Sequence, residues 1–96
     1  MHRDLIVFTM VGCPHCISFK DMLKSNDIDY IEYDIDEYKE EYDNFSRVVQ
    51  NDYIPAFLIF ESGGEGLEKI KMFAPERDFN THDEAISIIK ANMGLN

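Results

Sequence analysis

The sequence predicts a single α/β domain over residues 1–96, with elements in the order β-α-β-α-β-β-α. Three observations predict it. Two short apolar runs, Leu5–Phe8 and Ala56–Phe60, have the continuity of strands covered on both faces. Other segments repeat their apolar residues at helical spacing. At the junction where the first run gives way to the first helical segment stands Cys13-Pro14-His15-Cys16, which holds both cysteines of the chain. One domain follows from length, because a second core would need roughly another 50 residues.

Each element has its own local reason. Leu5 to Phe8 forms the first strand. Gly12 relaxes the backbone before the cysteines, and Pro14 suits the first helical position, where its missing N–H is not needed. The first helix runs to Ser25-Asn26 with Cys16, Phe19 and Leu23 along one stripe. Tyr30 to Ile35 alternates, with Ile31, Tyr33 and Ile35 on the inner face of a half-buried strand. Asp36 is placed to cap a second helix, whose Tyr38, Tyr42, Phe45 and Val49 fall at i, i+4, i+7 and i+11. Ala56 to Phe60 is the third strand. Glu61-Ser62-Gly63-Gly64-Glu65-Gly66 has hairpin chemistry, and Leu67 to Phe73 returns as an edge strand with Ile70 and Met72 inward. Thr81-His82-Asp83-Glu84 fits a capping box opening a last helix, with Ala85, Ile86, Ile89 and Met93 buried.

Charge excludes some partners. The net charge is −10, and between Asp27 and Asp52 ten acids stand against only Lys39 and Arg47. Such a field repels nucleic acid and anionic membranes. It serves either as a solvated face or as a patch that selects a basic partner protein. The longest apolar run, Ile54 to Phe60, is too short to cross a bilayer. Met1-His2-Arg3-Asp4 leads into only four apolar residues, so no secretory segment is expected and the protein is assigned to the cytoplasm. In that reducing compartment a CxxC pair reads as catalytic or metal-binding rather than as a permanent crosslink.

The position of the pair carries its chemistry. A sulfur at a helix N-terminus meets unpaired backbone N–H groups and the positive end of the helix dipole, both of which favour thiolate over thiol. Cys13 is therefore the expected nucleophile at an exposed helix end, and Cys16, one turn in, the more buried resolving thiol. His15, between them, either is an indifferent surface residue or adds an imidazolium that stabilises the Cys13 thiolate.

The element order, the Cys-Pro-x-Cys motif at the first strand–helix junction and the Ile54-Pro55 step opening the third strand together resemble the glutaredoxins, over nearly the whole chain. These are the small glutathione-using branch of the thioredoxin-like fold. The resemblance implies a four-stranded mixed sheet flanked by helices and a cis bond at Pro55. It also implies that glutathione, as co-substrate, docks along Tyr53, Ile54 and Pro55. Its clients would be disulfide-containing proteins, ribonucleotide reductase among them, and the protein would work as a monomer. Three departures stand out. Met10 occupies the place of the family's usual lysine, His15 that of an aromatic residue, and the family's Gly-Gly-x-Asp element has no clean match. By position Thr81, His82 and Asp83 substitute for that element. Arg47 is the favoured cation for the glutathione carboxylates, with Lys20 and Arg77 as further candidates and Tyr42 and Gln50 as neutral donors.

Two other functions compete. One is a thioredoxin-like disulfide reductant recharged by a flavoprotein reductase; the missing lysine and Gly-Gly element favour it, and the absence of Trp counts against it. The other is a module holding an iron–sulfur cluster or zinc. One chain offers only two thiolates where closed zinc sites want four ligands, and His2, His15 and His82 show no ligand spacing, so no metal is expected.

Overall fold

A computed structural model describes residues 2–63 and 68–95. The elements are β1 (His2–Thr9), α1 (Pro14–Ser25), β2 (Ile31–Asp34), α2 (Lys39–Val49), β3 (Ala56–Ser62), β4 (Glu68–Phe73) and α3 (His82–Met93). The predicted order holds. Of the predicted hairpin, residues 64–66, together with Leu67, lie outside the described residues.

The sheet runs β2-β1-β3-β4, with β1 parallel to β2 and the other two pairs antiparallel, which is the expected mixed sheet of a thioredoxin-like fold. Alternation along the central strands splits the core in two. Leu5 and Val7 of β1 and Phe57 and Ile59 of β3 point to one face, where Phe19 and Leu23 of α1 and Ala85, Ile86 and Ile89 of α3 cover them. Phe57 sits at the centre, stacked between Phe19, Phe73 and Phe79 at centroid distances of 6.0, 5.1 and 5.5 Å. Phe8 and Ala56 point to the other face and meet Tyr42, Phe45 and Val49 of α2.

The edge strands depart from the expected pattern. Ile31 and Ile70, expected inward, are 44% and 52% exposed. The cause is the reach of α2, which at 11 residues is about 16 Å long. It covers Tyr33, Ile35, Leu58 and Met72, at one end of the sheet. Ile31 pairs with Ile6 and Ile70 with Phe60, further along the strands, and among the described residues neither packs against the α2 cluster.

Asp36 does not cap α2. The N-cap is Tyr38, without a side-chain cap bond, and its ring stacks on Tyr33 at 3.9 Å. Asp34 organises the entry instead: its carboxylate accepts the Asp36 N–H at 2.9 Å and its carbonyl accepts those of Glu37 and Tyr38. The capping box of α3 forms as expected, with Thr81 Oγ1 accepting the Glu84 N–H at 3.1 Å.

Candidate active site

The first helix begins where the motif predicts. Cys13 is the N-cap of α1 and Pro14 opens the helix. Gly12, at φ +79°, turns the chain into that cap in the left-handed region that other residues enter at a cost. Cys13 and Cys16 are joined as a disulfide, their Cα atoms 5.2 Å apart across one turn, and Cys13 Sγ also accepts the Cys16 N–H at 3.2 Å. This sulfur does what an Asp or Ser oxygen does at other helix starts.

Cys13 is less open than expected. It is 7% exposed, against 1% for Cys16, so the order of burial holds although the exposed position does not. Its sulfur is bonded to Cys16 and accepts the Cys16 N–H, both within the first turn. Its chain neighbours remain open: Gly12, Pro14 and His15 are exposed, as are Met10, Val11, Ile17 and, beside Ile54, Tyr53.

The Ile54–Pro55 peptide is cis, and both residues line a groove of about 190 Å³. The other walls are His15 of α1, Thr81 and His82 at the start of α3, and Pro75, Glu76, Phe79 and Asn80 from the β4–α3 connection. Asn51 ties two walls together, since its side-chain amide donates to the Pro75 carbonyl at 3.2 Å and accepts the Tyr53 N–H at 3.3 Å. Within this groove the rings of His15 and His82 meet edge-on at 6.2 Å, and His82 also rests against Phe19 at 5.5 Å. Burial, and then His15, hold the His82 imidazole below its ordinary range, against the smaller opposing pull of Asp83.

The candidate cations are spent elsewhere. Lys20 Nζ donates to Glu32 at 2.8 Å, and Glu32 also accepts from the buried Thr9 hydroxyl at 2.7 Å. Those bonds, Lys20 first, lower the Glu32 carboxyl, and the same contact raises Lys20. Arg77 donates to Asp78 at 2.8 Å and to the Met72 carbonyl at 3.2 Å. Arg47 lies on α2, across the sheet from α1, and bonds Asn44 at 3.4 Å. Tyr42 is not a donor into the groove: its hydroxyl is buried with no partner among the described residues, and burial raises its pKa.

Of the residues singled out from sequence, His15, Ile54, Pro55, Thr81 and His82 come together in the groove, beside the Cys13–Cys16 pair that brackets His15. Tyr53, Asp83 and Arg47 do not line it. Glu76 and Asn51 were missed. Glu76, at φ +67°, lies in a Pro-Glu-Arg-Asp turn that a reading for turns would flag; Asn51 carries no such signal. Among the described residues no three His, Cys, Asp or Glu side chains converge as a metal site, and no helix is long and apolar enough to cross a membrane.

Comparison with known proteins agrees with this geometry. Residues 5–59, from β1 into β3 and so including the cysteine pair and the cis proline, match the family model for glutaredoxin. No curated protein matches.

Proposed function

The chain belongs to the glutaredoxin family, and from that premise we propose that it reduces disulfides at the expense of glutathione, with Cys13 as nucleophile and Cys16 as resolving thiol. The observation that carries the reading is a cysteine pair at a helix start with no acid in its first turn, bordering a groove walled by a cis proline. The Cys13 thiolate attacks a protein disulfide and forms a mixed disulfide. Cys16 then displaces the client thiolate and closes the Cys13–Cys16 bond. Two glutathiones reopen that bond and leave as glutathione disulfide. With a glutathione mixed disulfide as substrate, Cys13 alone suffices.

The helix start helps chiefly by making Cys13 a good leaving group. A free cysteine is about 3% thiolate at pH 7, and a three-unit fall in pKa raises that about thirtyfold. Nucleophilicity falls by about 20- to 30-fold over the same interval, so attack hardly changes. Departure of Cys13 from the mixed disulfide gains instead.

Glutathione is taken to lie along Tyr53, Ile54 and Pro55, with Thr81, His82 and Asp83 at its far end and Arg47 as a more distant cation. The reducing cytoplasm is the setting, and ribonucleotide reductase is the client that the family suggests. The test is turnover of a glutathione mixed disulfide by wild type, Cys13→Ser and Cys16→Ser. Loss in the first variant and retention in the second is expected; activity surviving in Cys13→Ser would overturn the assignment.

A second reading, recharging by a flavoprotein reductase, is favoured by one specific observation. The N-terminus of α3, where the family holds a glutathione carboxylate, is already capped by Thr81 and Glu84, while Lys20 and Arg77 are engaged elsewhere. Coupled assays with glutathione plus glutathione reductase, and with thioredoxin reductase, separate the two. Activity with thioredoxin reductase alone would remove glutathione from the proposal.

A further inference from the structure

Two imidazoles meet beside the redox pair. His15 stands on the first turn of α1, between the cysteines, and His82 is the first residue of α3. Their rings approach edge-on at 6.2 Å, and neither ring makes a side-chain hydrogen bond among the described residues.

The surroundings set a charge balance that changes with redox state. Both rings sit in the first turns of their helices. Phe19 covers His82 from α1. The charged groups that face the pair are Asp83, on the first turn of α3, and Glu76, which lines the same groove from the β4–α3 connection. In the oxidised protein the disulfide between Cys13 and Cys16 carries no charge. In the reduced protein a Cys13 thiolate adds a full negative charge two residues from His15. A new opposite charge at close range favours protonation of an imidazole.

We propose that His15 and His82 form a proton-accepting pair that takes up one proton when the Cys13–Cys16 disulfide is reduced and returns it on reoxidation. The inference rests on the thiol–disulfide reading of the site, but not on whether glutathione is the reductant. Two thiols of a reductant supply two electrons, and the Cys13–Cys16 bond breaks as a disulfide forms between the reductant sulfurs. Two protons leave the attacking thiols. One goes to the Cys16 sulfur, Cys13 remains a thiolate, and the second proton passes to the imidazole pair instead of to solvent. Protonation of one ring disfavours protonation of the other, so the titration belongs to the pair rather than to either residue. His82 is a positioning residue here: it acts through His15, which its ring meets edge-on.

The experiment uses dithiothreitol, so that failure of glutathione as reductant cannot be confused with failure of this proposal. The ring Cε1–H resonances of His15 and His82 are titrated by NMR in the oxidised and the dithiothreitol-reduced protein. The titration midpoint of the pair is expected to rise on reduction by about two pH units or more, a proton held about a hundredfold more tightly. Superimposed curves in the two states would overturn the proposal. The variants His15→Gln, at an exposed site, and His82→Gln supply a second readout. Between the oxidised-state and reduced-state midpoints of the pair, where ultraviolet absorbance also shows Cys13 ionised, the exchange equilibrium of wild type with a dithiol should stay nearly level. In the double variant the released proton reaches solvent, and the constant should climb about tenfold per pH unit by mass action. A wild-type constant that climbs as steeply as that of the double variant would refute the pair as acceptor.

Discussion

The N-termini of α1 and α3 converge on one groove and are treated in opposite ways. α3 is closed: Thr81 caps it, the Glu84 carboxylate accepts the N–H groups of Asn80 and Thr81 at 3.0 and 3.1 Å, and Asp83 adds a second acid. α2 also carries acids, Glu40 and Glu41, in its first turn. α1 has none, in a chain with 19 acidic residues. A helix start carries about half a positive charge, and an acid placed there gains about 0.3–1 kcal/mol. In α1 that gain is left to the Cys13 sulfur. The closed end stabilises the fold, and the open end is kept for chemistry.

Closing the open end should therefore have the largest effect. His15→Glu puts a carboxylate into the first turn of α1, and His15→Gln is the control that removes the imidazole without adding charge. A like charge beside an ionising group shifts its titration by about a unit or more. Titration of the thiolate absorbance should place Cys13 ionisation about one pH unit higher in His15→Glu than in His15→Gln, and mixed-disulfide turnover should fall as Cys13 becomes a poorer leaving group. Equal midpoints in the two variants would mean that the acid-free turn does not set the ionisation of Cys13.

Much of this contrast is readable from the chain. Pro14 at the first helical position, the Cys16-Phe19-Leu23 stripe and the Thr81–Glu84 box are local signals, decided by neighbours within one turn, and all three form. The cis bond at Pro55 came from family resemblance; local chemistry alone sets its prior at only about 5–6%. What sequence does not reveal is set by distance. Whether Ile31 and Ile70 are covered depends on how far α2 reaches across the sheet, which no pattern within either strand encodes. Asp36 looked like a cap because only its spacing was visible; the turn built by Asp34 moved the helix start two residues on. The site shows the same division. The cysteines announce themselves, whereas Glu76 in the groove, the Asn51 tie and the His15–His82 contact arise from chain segments that meet only after folding.

Opening the closed end should cost stability. In Thr81→Ala the Glu84 N–H loses its acceptor, and loss of such a cap costs about 1 kcal/mol, within roughly 0.5–2. Urea unfolding should show a lower midpoint at unchanged slope. Thiolate absorbance should stay at the wild-type level, because α3 carries its charge compensation within its own first turn. A change in Cys13 ionisation as large as that of His15→Glu would show that the two helix ends act as one electrostatic unit, and the contrast between them would dissolve.

The smallest expected effect concerns what lies beneath the open end. Thr9, the last residue of β1, is buried, and its hydroxyl donates to Glu32, which is also paired with Lys20 of α1. This contact fastens the strand end to the helix that carries the cysteines. The Lys20 and Glu32 side chains are 25% and 39% exposed, so solvent screens the pair and its worth is about 0.5–1 kcal/mol. The sign with pH follows from the lowered Glu32 carboxyl. The folded state holds its proton less tightly than the unfolded one, so the contribution is fully present above the ordinary value of 4.5 and is lost as pH falls through the folded value. Glu32→Gln keeps an oxygen for the Thr9 hydroxyl but removes the charge. It should therefore be less stable than wild type at neutral pH and converge with it in acid, as urea midpoints at the two conditions would show. A deficit that persists in acid would mean that the geometry of the Thr9 hydrogen bond, rather than the charge on Glu32, holds β1 to α1.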